Sequence, residues 1–328
     1  MTLPSALNVI RTQRCPDCYL CGTPGNHLYQ GLSDRLYRAP GTWDLKRCPN
    51  PHCGLVWLDP MPLEEDMFLA YRDYFTHASR PTVQRGVGRT TIHWLYRALL
   101  WITRLGHQRR ELRGFYLRGT PPGRLLEVGC GDGGQLAWLR TMGWQVEGQE
   151  VDPAAAEQAR FAHGLHMHLG ALADLKLGGG AFDAITMSHV IEHVHHPVSL
   201  LKECRRLLKC GGTLVAVTPN INSFGHDRFG ADWRGLERPR HLHLFSPKTL
   251  RVLAARAGFV QQQCWTTAAN AQFLGEASLK FRQNRQCTDL EVNIQALLFQ
   301  FQAMVAHSVH KDSGEKCVLK AMKTEVLA

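Results

Sequence analysis

Residues 124–141 read RLLEVGCGDGGQLAWLRT, a short apolar run that meets four glycines within six residues and then resumes with helical spacing. So short an apolar run suits a strand buried on both faces, and the glycines let the backbone turn sharply and come close to a neighbour or ligand. The same unit recurs downstream. QVEGQEV reads as strand, PAAAEQARFAHG as helix, HMHLG and AFDAITMS as strands, PVSLLKECRRLLKCGG as a helix stopped by its glycines, and TLVAVTPN as strand. SPKTLRVLAARAGF follows as a helix with Ser246 as cap and Pro247 in its first turn. VQQQCWTT is a strand, about 270–308 is mostly helical, and KCVLKAMK is a last strand. Strands alternating with helices of this length predict an α/β fold, a parallel sheet covered on both faces.

The glycine turn admits two readings. Gly129-x-Gly131-x-x-Gly134 satisfies the dinucleotide fingerprint, while Glu127-x-Gly129-x-Gly131-x-Gly133 is equally present. Either places a ligand at the carboxyl end of the first strand, and Glu150, ending the next strand, can accept hydrogen bonds from ribose hydroxyls in both. Three features favour S-adenosyl-L-methionine (SAM) over NAD. Glu127 sits at the end of the first strand, where a carboxylate can help hold a cationic methionyl group. FDAITMSHVIEH leads directly to the next helix and KCGGTLVAVTPN, with no room for a nicotinamide-side domain. The final strand can insert antiparallel into the sheet.

Residues 122–260 resemble a class I SAM-dependent methyltransferase, through LLEVGCGDGG, GQEVDPAAAEQAR, FDAITMSHVIEHVHHPVSLLKECRRLLKCGGTLVAVTPN and RHLHLFSPKTLRVLAARAGF in that order. The nearest branch resembles the quinone-biosynthesis O-methyltransferases. The resemblance implies a Rossmann-like sheet of seven strands, and a cofactor site made of Glu127, Gly129, Cys130, Gly131, Glu150, Val151, Ala171, Leu172, Ser188 and His189. Glu150 would bind the ribose and Val151 would lie against adenine. The family often has an acid near the adenine amino group; this chain has Ala171, which leaves that contact to backbone or to Asp174.

Five of eleven cysteines crowd the first sixth of the chain. Cys18-x-x-Cys21-Gly and Cys48-x4-Cys53-Gly form two knuckles of the type that wraps thiolates around tetrahedral zinc, and a four-sulfur site is structural because it leaves no position for water. Cys15 and His52 are the alternative ligands. A zinc-ribbon head followed by GLVWLDPMP and AYRDYF resembles that of sugar C-methyltransferases and polysaccharide-modifying relatives, in which the module covers the acceptor side. Zinc heads also precede SAM domains in rRNA guanine methyltransferases, whose Cys-x3-His knuckle is echoed by Cys48 and His52, although GLVWLDP fits them poorly.

The sulfonium of SAM is already activated, so a hydroxyl acceptor needs in-line positioning and a base. Histidine suits that near neutrality. The candidates are His189, Glu192 and His193 in SHVIEHVHHP, and His241 in RPRHLHLF, while His195 and His196 belong to the start of the next helix and His243 is expected to point outward. Asp232 and Trp233 are lesser acceptor-side candidates. His189-x-x-Glu192-His193 also has the spacing of an inverted zinc-peptidase motif, but that needs a helix, and Pro197 in the first turn of the next helix leaves few residues for one, which makes a metallopeptidase a distant third reading. Quinone O-methyltransferases can carry acid, acid and histidine at the matching positions around a divalent ion. With His189 in the first place, magnesium is disfavoured and a softer ion or none is expected.

The expected organisation is a zinc-ribbon module over 1–62, a helical connector over 63–120, and a methyltransferase domain over 121–328 with a helical insertion at 270–308. The connector includes PLEEDMFLAYRDYF and TIHWLYRALLWITRL, the latter read as a domain helix or a dimer contact. No run of about 18 apolar residues is present and the N-terminus lacks the apolar core of a secretion signal, which makes the chain cytoplasmic in expectation. A net charge of +10 favours an anionic partner. The expected activity is methyl transfer to a small-molecule or carrier-bound acceptor, at oxygen rather than carbon. An RNA-modifying methyltransferase and a non-catalytic SAM-fold protein are the rivals, and a homodimer is kept among the expected partners.

Overall fold

The computed structural model describes residues 9–72, 105–282 and 289–325. The expected helix at TIHWLYRALLWITRL lies outside them apart from Leu105. The N-terminal part holds β1 (Thr12–Gln13), β2 (Asn26–Leu32), β3 (Trp43–Arg47), β4 (Val56–Leu58), β5 (Met61–Pro62) and α1 (Met67–Tyr71). Then come α2 (Leu105–Arg113), β6 (Arg124–Val128), α3 (Gly134–Thr141), β7 (Gln145–Glu150), α4 (Pro153–His163), β8 (His166–Leu169) and β9 (Phe182–Ser188). The remainder is α5 (Pro197–Leu207), β10 (Leu208–Pro219), α6 (Phe224–Phe229), β11 (His243–Leu244), α7 (Pro247–Arg256), β12 (Gln261–Thr267), α8 (Ala271–Arg282), α9 (Asp289–Val309) and β13 (Lys316–Met322).

Seven strands form one sheet in the order β12-β13-β10-β9-β6-β7-β8. Neighbours from β10 to β8 are parallel, and β13 inserts antiparallel between β10 and β12. Ser246 caps α7 by accepting from the Thr249 N–H, and Thr249 returns the bond in a capping box. One boundary departs from the sequence expectation. Helix α5 ends where Leu208 becomes extended, ahead of the glycines that were expected to stop it, and the following residues already belong to β10. Gly211, at φ +77°, sits in the irregularity that shifts the register between Leu208 and Thr213.

A second sheet has the order β11-β4-β3-β2, so the loop after β10 gives a strand to the N-terminal module. His243 pairs with Trp57 and Leu244 with Val56, and the Leu58 N–H donates to the Leu242 carbonyl at 3.1 Å. Strand β4 is buried along its whole length, and Trp43, Leu45 and Trp57 share one apolar core with Met187, Leu214, Leu244 and Phe245 of the larger part. Burying a side chain such as Leu45 or Leu58 contributes about 1.5–3 kcal/mol. A buried ion network reinforces this junction: Arg240 donates to Asp34 Oδ2 at 2.9 Å and to the Ala70 carbonyl at 2.8 Å, with Glu237 Oε1 3.2 Å from its Nε.

Candidate active site

Three consecutive demands on the backbone explain the glycines after β6. A Cβ on Gly129 would stand 2.5 Å from Val190 Cγ2, one on Gly133 would stand 2.5 Å from Leu165 and 2.9 Å from the Ala159 side chain, and one on Gly131 would meet open space. All three have φ between +55° and +74°. Gly129 therefore lets the loop press against the turn after β9, Gly133 lets α4 approach, and Gly131 borders the space at the carboxyl end of the sheet.

Glu150 is fixed beside that space. Its Oε2 accepts from the Gly131 N–H at 2.8 Å, and its Oε1 accepts from Val151 N–H at 2.8 Å and Asp152 N–H at 3.1 Å. Val151 is exposed next to it. Gln149, which the sequence reading passed over, accepts from the Gly129 N–H at 3.1 Å and donates to the Gly170 carbonyl at 2.6 Å, tying the glycine loop to the turn that carries Ala171 and Leu172. Leu172 is buried, while Ala171 and Asp174 are exposed. The Cys130 side chain turns into the core with its Sγ 3.8 Å from Met167 Sδ, so only its backbone borders the site.

Glu127 is 3% exposed and its Oε2 has no hydrogen-bond partner. Burial, then the charges of Asp132 and Glu150, push its carboxyl up to about 8. A lone buried carboxyl oxygen, an open Gly131 and a rigid Glu150 acceptor match what SAM presents: a cationic methionyl end and a ribose diol. The residues present fit this cofactor.

The turn after β9 carries the reactive side chains. His189 adopts φ +56° and its N–H donates to the Val217 carbonyl at 2.8 Å, so the imidazole leaves the strand direction. Its Nδ1 lies 3.1 Å from Glu192 Oε1, and its side chain is 36% exposed. Glu192 is fully buried, and its Oε2 accepts from Thr218 Oγ1 at 2.9 Å. Burial opposes its charge, but the His189 hydrogen bond and the neighbouring histidines outweigh that and hold it at about 2. Burial, followed by the charge of Lys316, lowers His189. Lys316 begins β13; burial brings its ammonium down to about 8 against the opposing pull of Glu192.

His193 Nδ1 lies 2.8 Å from Tyr71 Oη and 3.0 Å from the Arg240 carbonyl. His241 Nδ1 donates to the Gly235 carbonyl at 2.8 Å, and its Nε2, without a hydrogen-bond partner, stands 3.9 Å from Glu192 Oε1. Burial above all brings His241 down to about 4. At 2% exposure it stands behind His193, with the two rings 4.7 Å apart, so of the two base candidates only His189 opens outward. His243, expected to point outward, is 1% exposed because β11 is enclosed by the N-terminal sheet. Trp233 is buried and Asp232 is ion-paired with Arg35. His196 precedes α5 as its N-cap residue, and His195 Nε2 contacts the Pro62 carbonyl at 2.8 Å. Residues 189–196 form turns rather than a helix.

In the N-terminal module, Cys18 and Cys53 sulfurs are 3.6 Å apart, Cys21 and Cys48 sulfurs 3.4 Å, and all four lie within 4.8 Å of one another. Zinc–sulfur bonds of about 2.3 Å in a tetrahedron set sulfurs roughly 3.8 Å apart, so these four fit zinc. Each knuckle ends in a left-handed glycine, Gly22 at φ +70° and Gly54 at +73°. Cys15 and His52 stand outside the group.

The Methyltransferase domain family matches residues 101–263. The ubiquinone biosynthesis O-methyltransferase of Cereibacter sphaeroides is 34% identical over 150 residues, 41% of this chain and 59% of the relative. That of Xanthomonas oryzae pv. oryzae is 33% identical over 129 residues, 37% and 54%. The chain thus spans less than two thirds of the curated relatives it matches. Among solved structures, a SAM-dependent methyltransferase of Thermotoga maritima, a possible histamine N-methyltransferase, is 20% identical over 71% of this chain and 97% of its own, with a TM-score of 0.45. Geranyl diphosphate C-methyltransferase of Streptomyces coelicolor is 17% identical over 66% and 80%, with a TM-score of 0.44.

Proposed function

We propose that the protein is a class I SAM-dependent methyltransferase that methylates an oxygen of a small or carrier-bound acceptor such as a quinone-like phenol, a reading supported by the match of residues 101–263 to the Methyltransferase domain family. The observation that carries the reading is the His189–Glu192 pair beside the glycine loop: a partly exposed imidazole whose Nδ1 is hydrogen-bonded to a buried carboxylate. Bound SAM supplies a methyl group already activated on a sulfonium. Glu150 accepts from the ribose hydroxyls, and Glu127 faces the cationic end with its free oxygen. His189 Nε2 takes the acceptor hydroxyl proton, and Glu192, hydrogen-bonded to Nδ1, stabilises the resulting imidazolium. Lys316, whose charge acts on His189, adds a positive charge near the base.

Cys18, Cys21, Cys48 and Cys53 hold a structural zinc in this reading, which keeps β11 and the His241–His243 segment against the ribbon. The described cysteines form no disulfide among themselves, which suits a reducing cytoplasm. Among the described residues, no helix is long and apolar enough to cross a membrane. The test is SAM binding to the zinc-loaded protein by calorimetry, followed by transfer of labelled methyl from SAM to a panel of phenols. Saturable SAM binding with transfer to a hydroxyl is expected; a protein that binds no SAM overturns the proposal.

A further inference from the structure

Strand β8 is the outermost on its side of the large sheet and pairs in parallel with β7. His166 stands opposite Glu147 in register, and His168 opposite Gln149. Residues two apart on a strand project from one face, so His166 and His168 share a face with Glu147, and Met167 and Gly148 turn to the other, toward Cys130. The sequence from 170 to 181 forms turns rather than a helix, and His166 is exposed there, with His168 and Glu147 half-buried beside it.

The three side chains converge. His168 Nε2 is 2.9 Å from Glu147 Oε2, the two imidazole rings meet edge to face with centroids 4.7 Å apart, and one ligating atom from each residue lies within 4.8 Å of the others. Arg124 holds the opposite oxygen of Glu147, with Nε at 3.0 Å and Nη2 at 2.6 Å from Oε1, which orients the carboxylate and leaves Oε2 toward the histidines. Two imidazoles and one carboxylate on neighbouring strands, open on one side to water, make a donor set for a divalent transition metal rather than for magnesium or calcium, which prefer oxygen alone. A carboxylate fixed from behind is the outer-shell support that metal ligands use.

We propose that Glu147, His166 and His168 bind a divalent transition-metal ion such as Zn2+ or Ni2+, separately from the four cysteines. The ion takes the place of the proton that His168 Nε2 and Glu147 Oε2 share, and water completes its coordination. It clamps the edge strand to β7 three residues before Glu150 and two before Gly170, which are themselves joined by the Gly170 N–H donating to the Glu150 carbonyl at 3.0 Å.

The experiment uses the full, tag-free chain with its cysteine site filled with zinc, titrated with Ni2+ by calorimetry, with bound metal counted after gel filtration. Wild type is expected to take up one more Ni2+ than the His166→Ala, His168→Ala double variant, and Glu147→Gln to bind it at least tenfold more weakly. His241→Ala, which alters the interior histidine pair, keeps the extra equivalent. A melting temperature that rises with Ni2+ in wild type and not in the double variant is the second readout. Equal uptake by wild type and the double variant overturns the proposal, as does loss of the extra equivalent in His241→Ala. SAM binding plays no part in the outcome, so failure of this site and failure of the methyltransferase reading are separate results.

Discussion

His189 Nδ1 stands 3.1 Å from Glu192 Oε1, so a partly exposed imidazole is backed by a carboxylate that the solvent does not reach. The carboxylate is ionised, held at about 2, and the imidazole lies below its ordinary 6.5 because burial and the Lys316 charge outweigh the pull of Glu192. A base in this state is free at neutral pH. Removing the imidazole with His189→Ala should lower kcat/KM by about 10²–10⁴-fold. The pH profile in wild type should stay flat through neutrality and fall as pH drops through the depressed His189 pKa, because protonation removes the base. Glu192→Gln, which withdraws the charge that stabilises the imidazolium, should lower the plateau and move that acid limb to lower pH. A His189→Ala enzyme with wild-type kcat/KM would exclude His189 as the base.

The cofactor side rests on a different pair. Glu150 meets three backbone N–H groups and Gln149 bridges the glycine loop to Gly170. Glu150→Ala should weaken SAM binding by roughly ten- to a hundredfold, about 1.4–2.8 kcal/mol. Gln149→Leu leaves the Gly129 N–H and the Gly170 carbonyl without that partner, and should weaken SAM by about tenfold, or about 1.4 kcal/mol, without touching the ligand. Calorimetry on both variants, with melting temperatures to show that they fold, checks the expectation.

Glu150 and the glycines were legible because local chemistry marks them: glycine where the chain must turn, an acid where a strand ends. Gln149 was not, because its neighbours in sequence look like any strand, and only the sheet brings Gly129 and Gly170 to its two ends. The burial of His243 and the strand β11 were not legible for a similar reason. Two residues carry no strand periodicity, and the partner strand lies almost two hundred residues earlier in the chain. The four-cysteine group was visible as spacing, whereas its attachment to the large sheet depends on Arg240, Asp34 and Glu237, charged residues that are buried in the fold and that no local sequence pattern pairs with one another. His189 and His241 were equal candidates until burial separated them.

Glu127 makes a prediction about stability in the absence of cofactor. Burial, with repulsion from Asp132 and Glu150, raises its folded pKa from 4.5 to about 8. An acid whose folded pKa is raised contributes stability that is fully present below pH 4.5 and lost as pH rises toward 8, because the folded state resists ionisation. Glu127→Gln removes that dependence. Ligand-free melting temperatures should show the variant gaining on wild type between pH 5 and pH 8, while SAM binding, which meets a neutral amide in place of a carboxylate, is weaker in the variant. A difference in melting temperature that does not change with pH would place Glu127 in contact with a compensating charge.

Zinc removal should separate the two halves of the site. The cysteine knuckles anchor β3 and β4, β4 pairs with β11, and β11 begins two residues after His241. The glycine loop, Glu150 and Gln149 sit instead on β6 and β7, on the far side of β9. Elemental analysis should give about one zinc per chain, the stoichiometry of a four-thiolate site. Stripping it with a chelator, or Cys48→Ser, should lower the melting temperature, because the N-terminal sheet and the large sheet share one apolar core. At temperatures where the protein stays folded, acceptor KM should rise and kcat fall while the SAM dissociation constant moves by less than about threefold, under about 0.7 kcal/mol. SAM binding measured by calorimetry beside acceptor kinetics makes the comparison, and equal loss of both would mean that the ribbon supports the whole sheet rather than its acceptor side.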